Sequence, residues 1–61
     1  MIKNAVQVEN MVIAYNEIDR EIFAVEGVLV RFSEYNLQVR KDNRIFVYDE
    51  NGNFLSKYII F

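Results

Sequence analysis

An α+β domain, with an N-terminal amphipathic helix packed on one face of a three- to four-stranded antiparallel meander, is the fold this sequence predicts. Three observations carry it. Apolar residues recur at helical spacing from Ala5 to about Ala24. After Gly27 the pattern becomes short runs broken by turn residues. Asn51-Gly52 then lies between two aromatic-rich runs, the strongest short-range hairpin signal a sequence carries.

The helix is expected first. Val8, Met11, Val12, Tyr15, Ile18 and Ile22 fall three and four residues apart, which stacks them on one stripe. Glu9, Asn16, Glu17, Arg20 and Glu21 fall mainly opposite, with Ile13 the exception. Asn4 suits an N-cap, and Gly27 suits the left-handed position at a helix C-terminus. The opposing signal is Val6, Val8, Val12 and Ile13, β-branched residues of mediocre helix propensity, so residues 5–9 also admit a strand.

Four strands follow. Val28 to Phe32 is the first, and Ser33 and Asn36 supply a turn. Leu37 to Arg40 alternates apolar and polar as a half-buried strand does. Arg44 to Tyr48 forms the third strand, and Phe54 to Phe61 the fourth. The sequence contains no proline to interrupt them.

Turn length decides which side chains share a face. A three-residue loop at Glu50-Asn51-Gly52 sets Tyr48 opposite Phe54 and Val47 opposite Leu55. It sorts Ile45, Val47, Leu55, Ile59 and Phe61 to one face and Phe46, Tyr48, Phe54, Tyr58 and Ile60 to the other. A two-residue turn instead sets Tyr48 opposite Leu55 and mixes both faces; the three-residue loop is preferred. At Lys41-Asp42-Asn43 two registers stay open. A three-residue loop with Asn43 left-handed pairs Val39 with Ile45, and a two-residue loop pairs Val39 with Phe46 and makes the aromatic face the better core.

Composition bounds the rest. Sixty-one residues make one small domain. A chain this short buries only about 60% of the surface its unfolded form exposes. The sequence has no cysteine for a disulfide, and neither histidine nor cysteine for a zinc site. With 52% apolar residues, it implies either a dense core or apolar surface kept for a partner. Residues 1–36 carry three basic side chains against six acidic, and residues 37–61 four against three. Neither half has the dense positive charge of a phosphate binder. Met1-Ile2-Lys3-Asn4 leads into apolar residues broken by Gln7, Glu9 and Asn10, so no secretory leader is expected. Runs such as Met11–Ala14 and Ile22–Val25 fall far short of the roughly 20 residues of a membrane span. A cytoplasmic protein with no membrane contact is the expectation.

Catalysis is not expected. Without histidine, cysteine or threonine, the aliphatic hydroxyls Ser33 and Ser56 have no evident base. Asp49, Asn51 and Asn53 faintly echo a calcium loop, but Gly52 stands fourth where that loop has its glycine sixth, and a hairpin turn explains them better. Glu17, Asp19 and Glu21 read as a solvated face rather than a metal site. No cofactor is implied. Phe46, Tyr48, Phe54 and Tyr58 with Arg40 and Arg44 would suit stacking against single-stranded nucleic acid, but the net charge of −2 opposes long-range attraction to phosphate.

The functional expectation is a small non-catalytic protein-binding module, self-associating and acting as an inhibitor or regulator of a larger protein. Its contact residues are expected on the last hairpin: Arg44, Phe46, Tyr48, Phe54, Tyr58 and Ile60. The partner is another protein or a second copy of the chain. A single-stranded nucleic-acid binder and a structural subunit of a larger assembly are the alternatives.

Overall fold

A computed structural model describes residues 1–60, and among them there is no helix. Seven strands form two antiparallel sheets, so the fold is all-β and the expected N-terminal helix is replaced by three strands. The first sheet contains β1 (Asn4–Val8), β2 (Met11–Tyr15) and β3 (Glu21–Glu26), in that order. The second contains β4 (Val28–Phe32), β5 (Asn36–Lys41), β6 (Arg44–Asp49) and β7 (Phe54–Ile59), again in chain order. The strands expected after Gly27 are therefore present as β4 to β7; the last residue of the expected fourth strand, Phe61, lies outside the described residues.

Two turns break the helical stripe. Glu9-Asn10 reverses the chain so that Val8 faces Met11, with Glu9 at φ 54°. At Asn16–Arg20 the Asn16 carboxamide oxygen accepts the N–H groups of Ile18 and Arg20, at 3.1 and 3.0 Å. Asparagine side chains offer the backbone such local alternatives to a helix. The supposed stripe is accordingly dispersed. Val12 is buried, Val8 and Met11 lie across from each other on the outer face, and Ile18 stands at a loop tip, 69% exposed. The β-branched residues that weakened the helix expectation are strand residues here.

Gly27 is a corner, not a helix cap. β3 runs directly into β4 through it, and its N–H still donates to Asn10 at 2.8 Å, extending the first sheet. Its φ of +138° disfavours any residue with a side chain, and a Cβ would lie 2.9 Å from the Arg40 carbonyl oxygen and 3.3 Å from Val39. The bend passes the chain from one sheet to the next.

β1 and β4 run side by side at the seam between sheets, joined by one side chain more than by a ladder. The Gln7 carboxamide donates to the carbonyls of Gly27 and Glu9, each at 2.9 Å, and of Met11 at 3.2 Å. Its oxygen accepts the Leu29 N–H at 2.7 Å. At the other end of the seam, the Ile2 N–H donates to Glu34 at 2.7 Å.

The core lies between the sheets. Ile2, Ala5, Val12, Ala14, Leu37 and Val39 are buried, with Phe23, Val25, Leu29, Phe46 and Tyr48 packed partly against them. Each of the fully buried Ile2, Val12, Leu37 and Val39 side chains contributes about 1.5–3 kcal/mol. The β5–β6 turn has two residues, since Lys41 pairs with Arg44, and the left-handed residue is Asp42 at φ 59°. Leu37 therefore pairs with Tyr48 and Val39 with Phe46, which turns the aromatic face of β6 inward. The second sheet is covered there by the first sheet, not by a helix.

Candidate functional site

The last hairpin takes both candidate registers in turn. Asp49 opposes Asn53, with its N–H donating to the Asn53 carbonyl at 2.9 Å, and Tyr48 opposes Phe54, as a three-residue loop requires. The register then slips, and Val47 faces Ser56 rather than Leu55. Leu55 is the extra residue of a β-bulge. The preferred uniform sorting is corrected in this way: beyond Leu55, Phe46 faces Lys57 and Ile45 faces Tyr58. One inserted residue moves Tyr58 from the aromatic inner face to the outer one.

The turn is held by Asp49. One carboxylate oxygen accepts the N–H groups of Asn51 and Asn53 at 2.9 and 2.8 Å, and the other accepts the Asn53 side-chain amide at 3.1 Å. These bonds, the Asn53 N–H foremost, hold the Asp49 carboxyl below its ordinary pKa. The oxygens that suggested a calcium loop thus close the turn. Among the described residues, no group of three or more acidic side chains is placed to hold a metal ion. Gly52, at φ +89°, sits against Phe23 of β3, and a Cβ there would lie 2.7 Å from the ring.

The six residues expected to contact a partner divide between environments. Phe46 and Tyr48 are half-buried and pack on the core. Phe54 joins them at 6.2 Å between ring centroids in each case, and Tyr48 also meets Phe23 at 6.4 Å. Tyr58 lies on the opposite face, where its hydroxyl donates to the Gln38 carboxamide oxygen at 3.2 Å. Arg44 is exposed opposite Ile59, and Ile60 is half-buried with its N–H donating to Asn43 at 2.8 Å. The four aromatics therefore do not form one stacking platform.

What the hairpin does present is an edge. Every residue of β7 is exposed. Phe54 and Leu55 are each 54% exposed, Tyr58 48% and Ile59 51%. Ile60 donates to Asn43, so by antiparallel alternation Ser56, Tyr58 and Ile60 direct their backbone groups to β6. Lys57 and Ile59 direct theirs away from the sheet. Sequence pattern marked the hairpin, but Leu55, Lys57 and Ile59 were not singled out. Their significance depends on the bulge and on β7 standing last in the sheet.

A shallow notch beside Arg31, Phe32, Ser33, Asn36 and Gln38 encloses about 230 Å³, below the range of about 300–1,000 Å³ typical of small-molecule sites. No helix among the described residues is long and apolar enough to cross a membrane. Comparison with family models, curated proteins and solved structures returned no match.

Proposed function

We propose that this chain is a small, non-catalytic protein-binding module that regulates or inhibits a larger protein by occupying its surface. The observation that carries the reading is β7, exposed along its whole length, with four large apolar side chains beside an uncovered strand edge. An uncovered edge is a template for strand addition, in which main-chain bonds supply affinity and alternate side chains supply selectivity. Partner contacts are assigned to Phe54, Tyr58 and Ile60 from the expected set, joined by Leu55 and Ile59. Phe46 and Tyr48 support Phe54 from the inner face.

Site-specific photocrosslinking tests this reading in cells. A benzophenone side chain at Leu55 is expected to give a discrete adduct, while the same group at Arg20, on the Asn16–Arg20 loop outside β7, gives none. Indistinguishable adduct patterns from the two positions would overturn it.

A further inference from the structure

We propose that Asn51 is a self-modification site: its carboxamide closes onto the Gly52 backbone nitrogen, releases ammonia and leaves aspartate or isoaspartate in the turn that leads into β7. Three observations select this asparagine from the others.

The first is the neighbour. Ring closure brings the next backbone nitrogen onto the side-chain carbon, and a side chain on the next residue crowds that approach. Asn51 alone among the asparagines is followed by glycine, which has none. Asn10, Asn36, Asn43 and Asn53 are followed by Met11, Leu37, Arg44 and Phe54, each a strand residue. The second is the carboxamide. Asn51 is exposed, and its side chain has no hydrogen-bond partner among the described residues. By contrast, Asn4 accepts the Ala5 N–H, Asn16 accepts those of Ile18 and Arg20, and the Asn53 side-chain amide donates to Asp49 at 3.1 Å. The third is the nucleophile. The Gly52 N–H donates to the Asp49 carbonyl at 3.2 Å, the longest backbone bond in the turns and loops of the described residues. Ring closure gives up that contact alone, while the Asp49 carboxylate still holds the Asn51 and Asn53 N–H groups at 2.9 and 2.8 Å.

The steps balance with water as the only co-reactant. Solvent takes the Gly52 amide proton, and the nitrogen attacks Asn51 Cγ. A C–N bond forms, the Cγ–Nδ2 bond breaks, and Nδ2 takes a proton from solvent and leaves as ammonia. Water then opens the cyclic imide. Cleavage at Cγ gives aspartate. Cleavage at the backbone carbonyl carbon gives isoaspartate, in which the main chain runs through Cβ and Cγ. Nothing is oxidised or reduced.

Either product sets a third carboxylate beside Asp49 and Glu50. Isoaspartate also lengthens the backbone by one methylene between positions 51 and 52. The Asn51 N–H lies upstream of that insertion, whereas the bonds from Gly52 and Asn53 to Asp49 lie downstream. Gly52 also rests on Phe23 of β3, with no room for added bulk. Isoaspartate therefore loosens the turn from the first sheet and disturbs the Tyr48–Phe54 pairing where β7 begins. The chemistry itself does not depend on β7 being a binding edge.

The test incubates the folded full chain for days at mildly alkaline pH, then cleaves it after lysine and arginine for mass spectrometry. One fragment, Ile45 to Lys57, holds both Asn51 and Asn53 and so contains its own control. The amide-to-acid mass shift is expected at Asn51, as aspartate and isoaspartate, with Asn53 unchanged. Asn51→Gln sets the carboxamide one methylene further from the Gly52 nitrogen and should show no shift in that fragment. Asn51→Asp has the new charge on an ordinary backbone, so chains containing isoaspartate should unfold at lower urea than this variant. Equal urea midpoints would overturn the loosening of the turn. Equal shifts at Asn51 and Asn53, or an Asn51 left unchanged in the folded chain whether or not it converts in urea, would overturn the site. The site stands or falls on this fragment, whatever the Leu55 crosslink shows.

Discussion

Two strands, β3 and β7, end their sheets with no neighbour among the described residues, and the molecule treats these edges differently. β3 is guarded. It opens and closes with Glu21 and Glu26, Glu26 is paired with Lys41 at 2.7 Å, and Phe23 is anchored on Gly52 and Tyr48. β7 is guarded only over its first half, by the bulge at Leu55, and carries one charge, Lys57. Bulges and edge lysines are common ways for proteins to prevent unwanted pairing. The contrast teaches that one edge is closed by packing and charge while Tyr58–Ile60 is left open.

The comparison is broken most severely at the corner. Gly27→Ala places a Cβ against the Arg40 carbonyl at a φ no alanine favours, so a loss of about 2–4 kcal/mol is expected in urea denaturation. Phe23→Ala follows, at about 2–3 kcal/mol because the ring is only half-buried. That variant should also expose β3, so a rise in light scattering with concentration is expected beyond that of the wild type. Asp49 has a smaller, pH-dependent effect. Its folded pKa is depressed, so its contribution is present above the ordinary aspartate value of about 3.9 and is lost as pH falls through the folded value. Asp49→Asn is expected to flatten this part of the stability profile without moving the response at neutral pH to any other variant. Ile59→Lys should be smallest in stability, within about 0.5 kcal/mol, because the residue is exposed at an edge. It should nevertheless reduce pairing through β7.

The second half of the fold was legible because turns and alternation agreed. Asn51-Gly52 and Asp42-Asn43 mark hairpins, and Leu37–Arg40 alternates as its burial does. The first half was not, because both faces of β2 are apolar: Val12 and Ala14 point inward, while Met11, Ile13 and Tyr15 are half-buried on the other side. In so dense a run a helical stripe can be drawn through residues that belong to opposite faces and a loop. Asn10 and Asn16 were the missed signals, since each belongs to a turn, not to a polar helix surface. The site was legible only in outline. Phe54, Tyr58 and Ile60 lie on the hairpin as expected, but the slip at Leu55 that separates Tyr58 from Phe46 and Tyr48 has no marker beyond the choice of turn length. Both turn lengths were right over part of the strand.

The most direct measurement is amide hydrogen exchange at Ser56–Ile60, read residue by residue by NMR at low micromolar concentration. The N–H groups of Ser56, Tyr58 and Ile60 should be protected by β6, and those of Lys57 and Ile59 should exchange rapidly, giving a strict alternation. Uniform protection across the five residues in the monomer, or uniform absence of it, would contradict the open edge on which the functional account stands.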